Sequence, residues 1–185
     1  MAWSFYLVLA IAGGIWLASR HDGFPIQWLA PGTWWQELPL GALAGGALLS
    51  LWHLGRRVLP HGAELEERLA EVVRGLSGSE TFALALLSGF GEELFFRGAV
   101  QDTFGLAAAT VLFAALHPGP GRTFYLWMIF AALAGALFGA LVLWRGNLLA
   151  AIVGHVTVNA VNLRQLAERK RLESADTGPA GNPEP

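Results

Sequence analysis

Apolar runs alternate along the chain with short polar or Pro- and Gly-rich breaks, and the lengths of the runs define the elements. Trp3 to Ser19 is apolar for about 17 residues, the lower limit for a helix that crosses a bilayer. No Lys or Arg precedes it, which argues for a retained helix over a cleaved signal peptide. Arg20 to Glu37 reads as a loop, with Pro25, Pro31 and the pair Trp34 and Trp35 suited to a membrane interface. Leu38 to Leu54 is a second span, and Gly41 and Gly45 sit at a spacing that lets helices pack closely.

From Gly55 to Ser79 charged residues interleave with Leu65, Leu69, Val72, Val73 and Leu76 at helical spacing, which predicts an amphipathic interfacial helix ending near Gly75. Glu80 to Gln101 is a third span. Gly105 to His117 is a fourth, stopped by Pro118 and Pro120 after about 13 residues, or about 20 Å at 1.5 Å per residue. That is shorter than a hydrocarbon core of about 30 Å, so the break at His117 is expected below the surface, lining protein or water. Thr123 to Trp144 and Asn147 to Leu163 are the fifth and sixth spans.

The expected fold is therefore all-α: a polytopic membrane helix bundle of about six transmembrane helices plus a cytoplasmic interfacial helix. Residues 1–163 form the integral membrane domain, and 164–185 read as a polar, disordered cytoplasmic tail. Six spans put both termini on one side. Arg56, Arg57, Arg68, Arg74, Arg122, Arg164, Arg169, Lys170 and Arg171 fall there, against Arg20, Arg97 and Arg145 on or toward the other, which predicts cytoplasmic termini.

Composition agrees with a membrane protein. Of 185 residues, 54% are hydrophobic and 14% charged, and the mean hydropathy is +0.47; soluble domains run near 25% charged. A net charge of -2 without a basic stripe gives no nucleic-acid footprint. With no Cys, disulfides, thiolate metal sites and Cys nucleophiles are excluded. Any chemistry falls to carboxylate, imidazole, hydroxyl or amide.

Those groups gather in three places. Glu92, Glu93 and Arg97 lie in the third span, where each charge is expensive enough to suggest function. Glu93 and Arg97, four apart, share a helix face and can pair, which leaves Glu92 free. The third and fourth spans should form an antiparallel hairpin turning near Phe104 and Gly105. Glu92 is twelve residues before Phe104 and His117 twelve after Gly105, so both lie about 18 Å from the turn. His155, nine residues past Gly146, lies about 14 Å along the sixth span, with Asn159 on the same face. His21, His53 and His61 sit in loops or near span ends and receive no role. Ser88 and Thr157 are near this depth but are expected to satisfy helix backbone.

Glu92-Glu93-x-x-x-Arg97, Phe113-x-x-x-His117 and His155-x-x-x-Asn159, in this order on separate apolar segments, resemble the motifs of the CPBP intramembrane proteases. That family includes the type II CAAX prenyl endopeptidases and the bacteriocin-processing and immunity-associated, Abi-like membrane proteins. The resemblance covers about residues 80–163 and implies a site in a cavity open to the cytoplasm. It further implies that Glu92 with His117 activates a water, that His155 and Asn159 stabilise the oxyanion, that Glu93 and Arg97 hold Glu92 in place, and that Phe113 packs. Glu92, His117 and His155 would also make a zinc set with an open position, but the compact His-Glu-x-x-His motif is absent, and metal-free glutamate catalysis is the expectation. The implied substrate is a membrane-associated or CAAX-like protein or peptide, and the implied location the bacterial plasma membrane. A non-catalytic scaffold or bacteriocin-immunity-type protein on the same fold is the alternative. A proton-linked transporter is disfavoured, because the spans show no internal repeat.

Overall fold

A computed structural model describes residues 2–176, all the regular structure of which is helical. Helix α1 (Ala2–Arg20) turns Phe5, Leu7, Val8, Ile11 and Ile15 outward, where an apolar surface suits lipid, and buries Leu17. Its inner face is set by close approach. A Cβ on Gly13 would fall 2.7 Å from Phe95 Cα, and one on Gly91 would fall 2.6 Å from the Tyr6 carbonyl oxygen.

Helix α2 (Trp34–Val58) begins four residues before the predicted Leu38, so Trp34 and Trp35 project from its first turn instead of a loop. The reason is Glu37. It is fully buried, accepts from Thr33 Oγ1 at 2.9 Å and is forked by Arg145 through Nε at 3.1 Å and Nη2 at 2.8 Å. Further down α2, Gly41 and Gly45 lie against the backbone of residues 150 and 154, as their spacing predicts. Helix α3 (Gly62–Val72) is the amphipathic element, burying Leu65 and Ala70.

Helix α4 (Gly78–Glu92) opens with a capping box: Ser77 Oγ accepts from the Glu80 N–H while Glu80 accepts from the Ser77 N–H. A π-helical segment, Glu93–Gln101, follows directly and leads into α5 (Asp102–Ala115). The chain reverses inside α5 at Gly105, whose φ of 84° and ψ of 170° a side chain would oppose. The last two helices are α6 (Phe124–Arg145), closed by Gly146 at φ 66°, and α7 (Leu149–Asp176).

The run of α7 corrects the expected tail. Residues 164–176 continue the helix, because their charges have partners: Arg164 with Glu168, Arg169 with Glu173, and Lys170 with Glu67, Glu71 and Glu173. Residues 177–185 of that tail lie outside the described residues. Among the described residues, four helical segments are long and apolar enough to cross a membrane: Trp3–Arg20, Trp34–Val58, Gly78–Ala115 and Phe124–Arg145. The expected count of six differs for two reasons. Gly78–Ala115 runs through the reversal at Gly105 and so contains both the third and the fourth span, and α7 is diluted by His155, Asn159 and Asn162. The core around Leu17, Leu48, Leu94, Phe138 and Leu148 ties α1, α2, α6 and α7 to the π segment.

Candidate active site

Glu92 closes α4 and Glu93 opens the π segment, so the two carboxylates sit where the helix widens; such turns occur frequently at functional sites. Both are buried, and they face different partners. Glu93 Oε1 lies 2.7 Å from His155 Nδ1, and its Oε2 lies 3.3 Å from Arg97 Nε. Arg97, 1% exposed, rests its guanidinium carbon 4.2 Å over the Phe113 ring. A planar cation between a carboxylate and an aromatic face is compensated twice. Glu93 thus pairs with Arg97 as the spacing predicts, but the side chain it holds is His155, not Glu92.

Glu92 Oε2 stands 3.6 Å from His155 Nε2 and 3.9 Å from His117 Nε2, and it has no hydrogen-bond partner. His117 reaches it from just past the end of α5, so the twelve-residue spacings on either side of the turn bring carboxylate and imidazole to one level. His117 Nδ1 lies 2.7 Å from the Phe113 carbonyl oxygen. That oxygen can only accept, so Nδ1 carries the proton and a neutral ring presents a lone pair at Nε2. His155 Nδ1 likewise donates to Glu93, at 2.7 Å, which turns its Nε2 toward Glu92. Two imidazole Nε2 atoms thus converge on one carboxylate oxygen.

Aromatic rings fix these imidazoles. Phe138 stacks on His155 at 5.6 Å, Trp127 lies 5.7 Å from His117, and Phe113 touches both, at 4.5 Å from His117 and 6.0 Å from His155. Phe113 therefore does more than the packing assigned to it, since its carbonyl sets one tautomer and its ring seats Arg97. Asn159, one turn past His155, donates through Nδ2 to Ser88 Oγ at 2.9 Å. Thr157 bonds its own helix at the Val153 carbonyl, as expected. His21, His53 and His61 contact Asp102, Gln165 and Glu64, apart from this cluster. Ser88 was the residue undervalued by the sequence, although its position four before Glu92 puts it on the same face.

These side chains line a cavity of about 520 Å³. Glu92, His117, His155 and Asn159 share it with Trp52, Trp127 and Phe130, and it extends to Arg56, Glu66 and Arg169. Arg169 is fourteen residues beyond His155 on α7, about 21 Å along the axis, so the cavity connects the buried cluster to the charged surface where α3 meets α7. As for a metal, Glu92, His117 and His155 supply suitable donor atoms, but no group of three His, Cys, Asp or Glu among the described residues is arranged to hold an ion.

Comparison with known proteins fits this geometry. Residues 75–161 match the family described as type II CAAX prenyl endopeptidase Rce1-like, and that match spans all three motifs. A protein from Bacillus subtilis (strain 168) named "Uncharacterized protein YpbD" is 38% identical over 80 residues, which cover 42% of this chain and 41% of that protein. The match thus spans about two fifths of the relative's length. No solved structure matches. Over residues 75–161 the resemblance read from the motifs is shown, and the family is one of CAAX-type intramembrane proteases.

Proposed function

We propose that this protein is an intramembrane endopeptidase that hydrolyses a peptide bond of a membrane-associated, CAAX-like protein or peptide with a water activated by Glu92 and His117. The observation that carries this reading is the convergence of Glu92 Oε2 with two imidazole Nε2 atoms, at 3.6 and 3.9 Å, in a cavity that reaches the protein surface. A separation of 3.9 Å is too long for a hydrogen bond. Two bonds of about 2.8 Å meeting near a right angle at a water oxygen span about 4 Å, so a bridging water fits. Such a water donates one proton to the carboxylate and the other to the His117 lone pair, leaving its own lone pairs free to attack. Glu92 is then the general base, and it returns that proton to the amine nitrogen as the tetrahedral intermediate collapses and the C–N bond breaks.

On attack, the peptide carbonyl oxygen gains negative charge. A doubly protonated His155 keeps Nδ1–H on Glu93 and offers Nε2–H, and Asn159 offers an amide N–H; both are donors of the kind that stabilise an oxyanion. The reaction needs no cofactor in this scheme, and nothing in it engages nucleic acid. The nine-against-three distribution of Lys and Arg supports cytoplasmic termini in a bacterial plasma membrane, with the cavity opening on that side under α3.

The test is to incubate purified protein and its Glu92→Ala variant with a membrane-peptide library, with and without a chelator. Cleavage by wild type alone, unaffected by chelator, is the expected result. Cleavage retained in the variant at normal protein levels would exclude glutamate-driven hydrolysis. Loss of cleavage on chelation, restored by zinc, would overturn the metal-free scheme.

A further inference from the structure

Ser88 has no task in the mechanism above, yet its hydroxyl is buried and lines the same cavity. The residue is 2% exposed and lies one helical turn before Glu92 on α4. Its Oγ lies 3.3 Å from the Ala85 carbonyl oxygen and 2.9 Å from Asn159 Nδ2 on α7. The hydroxyl has one proton, and a carbonyl oxygen can only accept, so that proton goes to Ala85. The lone pairs of Oγ are then left to accept, and the group that Asn159 turns toward Ser88 must be its NH2 and not its carbonyl. Ser88 therefore decides which way round the Asn159 amide sits.

The consequence concerns the second N–H of the same nitrogen. Among the described residues, Ser88 is the hydrogen-bond partner recorded for the Asn159 side chain, and Asn159 lines the cavity. With its amide orientation fixed, one N–H is spent on Ser88 and the other is available to a bound group. We propose that Ser88 is a positioning residue for hydrolysis: it holds the Asn159 amide in the orientation that leaves one N–H for the carbonyl oxygen of a bound peptide as that oxygen becomes negative. This rests on the role given to Asn159 in the proposed function.

The blander role for a serine in a membrane helix is to satisfy its own backbone, and the contact with Ala85 is of that kind. It does not account for the shorter bond to another helix. Nor is the α4–α7 seam held by that bond alone. Beside the pair, a Cβ on Gly89 would lie 2.7 Å from Val156 Cγ2 and 3.0 Å from its backbone nitrogen, so the two helices are already in backbone contact. Removing the Ser88 hydroxyl should leave this packing intact while freeing the amide.

The experiment compares kcat and KM of wild type, Ser88→Ala, Ser88→Thr, Asn159→Ala and the Ser88→Ala/Asn159→Ala double variant. It also follows hydrogen exchange of the Asn159 side-chain amide by ¹⁵N NMR in detergent, with the signal assigned by its loss in Asn159→Ala. Ser88→Ala is expected to lower kcat about tenfold with KM within about twofold, a smaller loss than deleting an oxyanion donor outright. Ser88→Thr keeps the hydroxyl and should keep most of kcat. In the Asn159→Ala background the serine change should cost nothing further, and the Asn159 amide should exchange about tenfold faster in Ser88→Ala. The proposal is overturned if Ser88→Ala leaves both kcat and exchange unchanged, or if it lowers kcat equally with and without Asn159. Active wild type with a silent Ser88→Ala sinks this proposal alone, whereas wild type as inactive as Glu92→Ala sinks the endopeptidase reading and this proposal with it.

Discussion

Exchanging Glu92 and Glu93 for Gln, one at a time, should move stability in opposite directions. Glu93 is fully buried, pairs with the 1% exposed Arg97 and contacts His155 Nδ1. Neutralising it leaves the Arg97 cation against the Phe113 and Phe96 rings without its paired carboxylate, and breaking a buried pair on one side costs about 3–5 kcal/mol. Glu92 is also buried, but the Arg97 ion pair goes to Glu93, and no protein donor hydrogen-bonds the Glu92 Oε2. A buried carboxylate that no protein donor meets on that oxygen carries a desolvation cost of about 1–3 kcal/mol, so an isosteric neutral side chain should leave stability unchanged or raise it by up to that amount. At about 2–4 °C per kcal/mol for a chain of this size, Glu93→Gln should lower Tm by about 6–20 °C, and Glu92→Gln should leave it alone or raise it by about 2–12 °C. Thermal unfolding in detergent, followed by the fluorescence of the eight tryptophans, reads both. Both variants should lose peptide hydrolysis. If Glu92→Gln destabilises as much as Glu93→Gln, the two carboxylates form one structural ion-pair knot, and the separation of roles is wrong.

Other consequences can be checked on the same preparation. Glu37→Ala and Arg145→Ala should each cost about 3–5 kcal/mol, and the double variant less than their sum, since it leaves no uncompensated charge; thermal unfolding of the four proteins closes the cycle. Gly91→Ala puts a methyl 2.6 Å from the Tyr6 carbonyl oxygen and should cost about 1–3 kcal/mol, while Gly46→Ala on α2, which meets open space, should be neutral or stabilising. Hydrogen bonds from Arg74 and Lys170 push the Glu71 carboxyl down from 4.5 to about 2. Because the folded value is the lower one, this stabilisation is present above about pH 4.5 and fades as pH falls toward 2. Limited proteolysis should therefore cut α3 faster at pH 3 than at pH 6, and Lys170→Met should bring faster cutting at neutral pH. Equal rates would show that the ion pairs do not hold α3.

Much of this architecture could be read from apolar run lengths, because a bilayer-sized helix leaves a bilayer-sized signature. The pairing of Glu92 with His117 could also be read, since equal distances from a turn put two residues of a hairpin at one level. Three features could not. Glu37 and Arg145 are 108 residues apart, and each alone resembles an ordinary charge at the edge of a span. Residues 164–176 look like a solvated tail until α3 supplies carboxylates to Lys170 and Arg169. The π segment has no signature in residue type, and it is there that Glu93 turns toward His155.

That last point bears on how two neighbouring acids come to differ. In sequence only the Arg97 four residues past Glu93 tells them apart. Glu93 is surrounded by groups that need an anion: the Arg97 guanidinium and the His155 Nδ1–H. A carboxylate so engaged gains little from taking a proton off water, because doing so would release both partners at once. Glu92 meets the opposite environment, two imidazole nitrogens beyond hydrogen-bonding distance and a cavity in front. A buried carboxylate oxygen that no protein group meets is costly to keep unless the water proposed for the gap between it and His117 supplies its donor. Stability alone would close that gap or replace the acid. Its persistence beside a neighbour held by the Arg97 guanidinium and the His155 Nδ1–H is the physical reason to assign the chemistry to Glu92 and the geometry to Glu93.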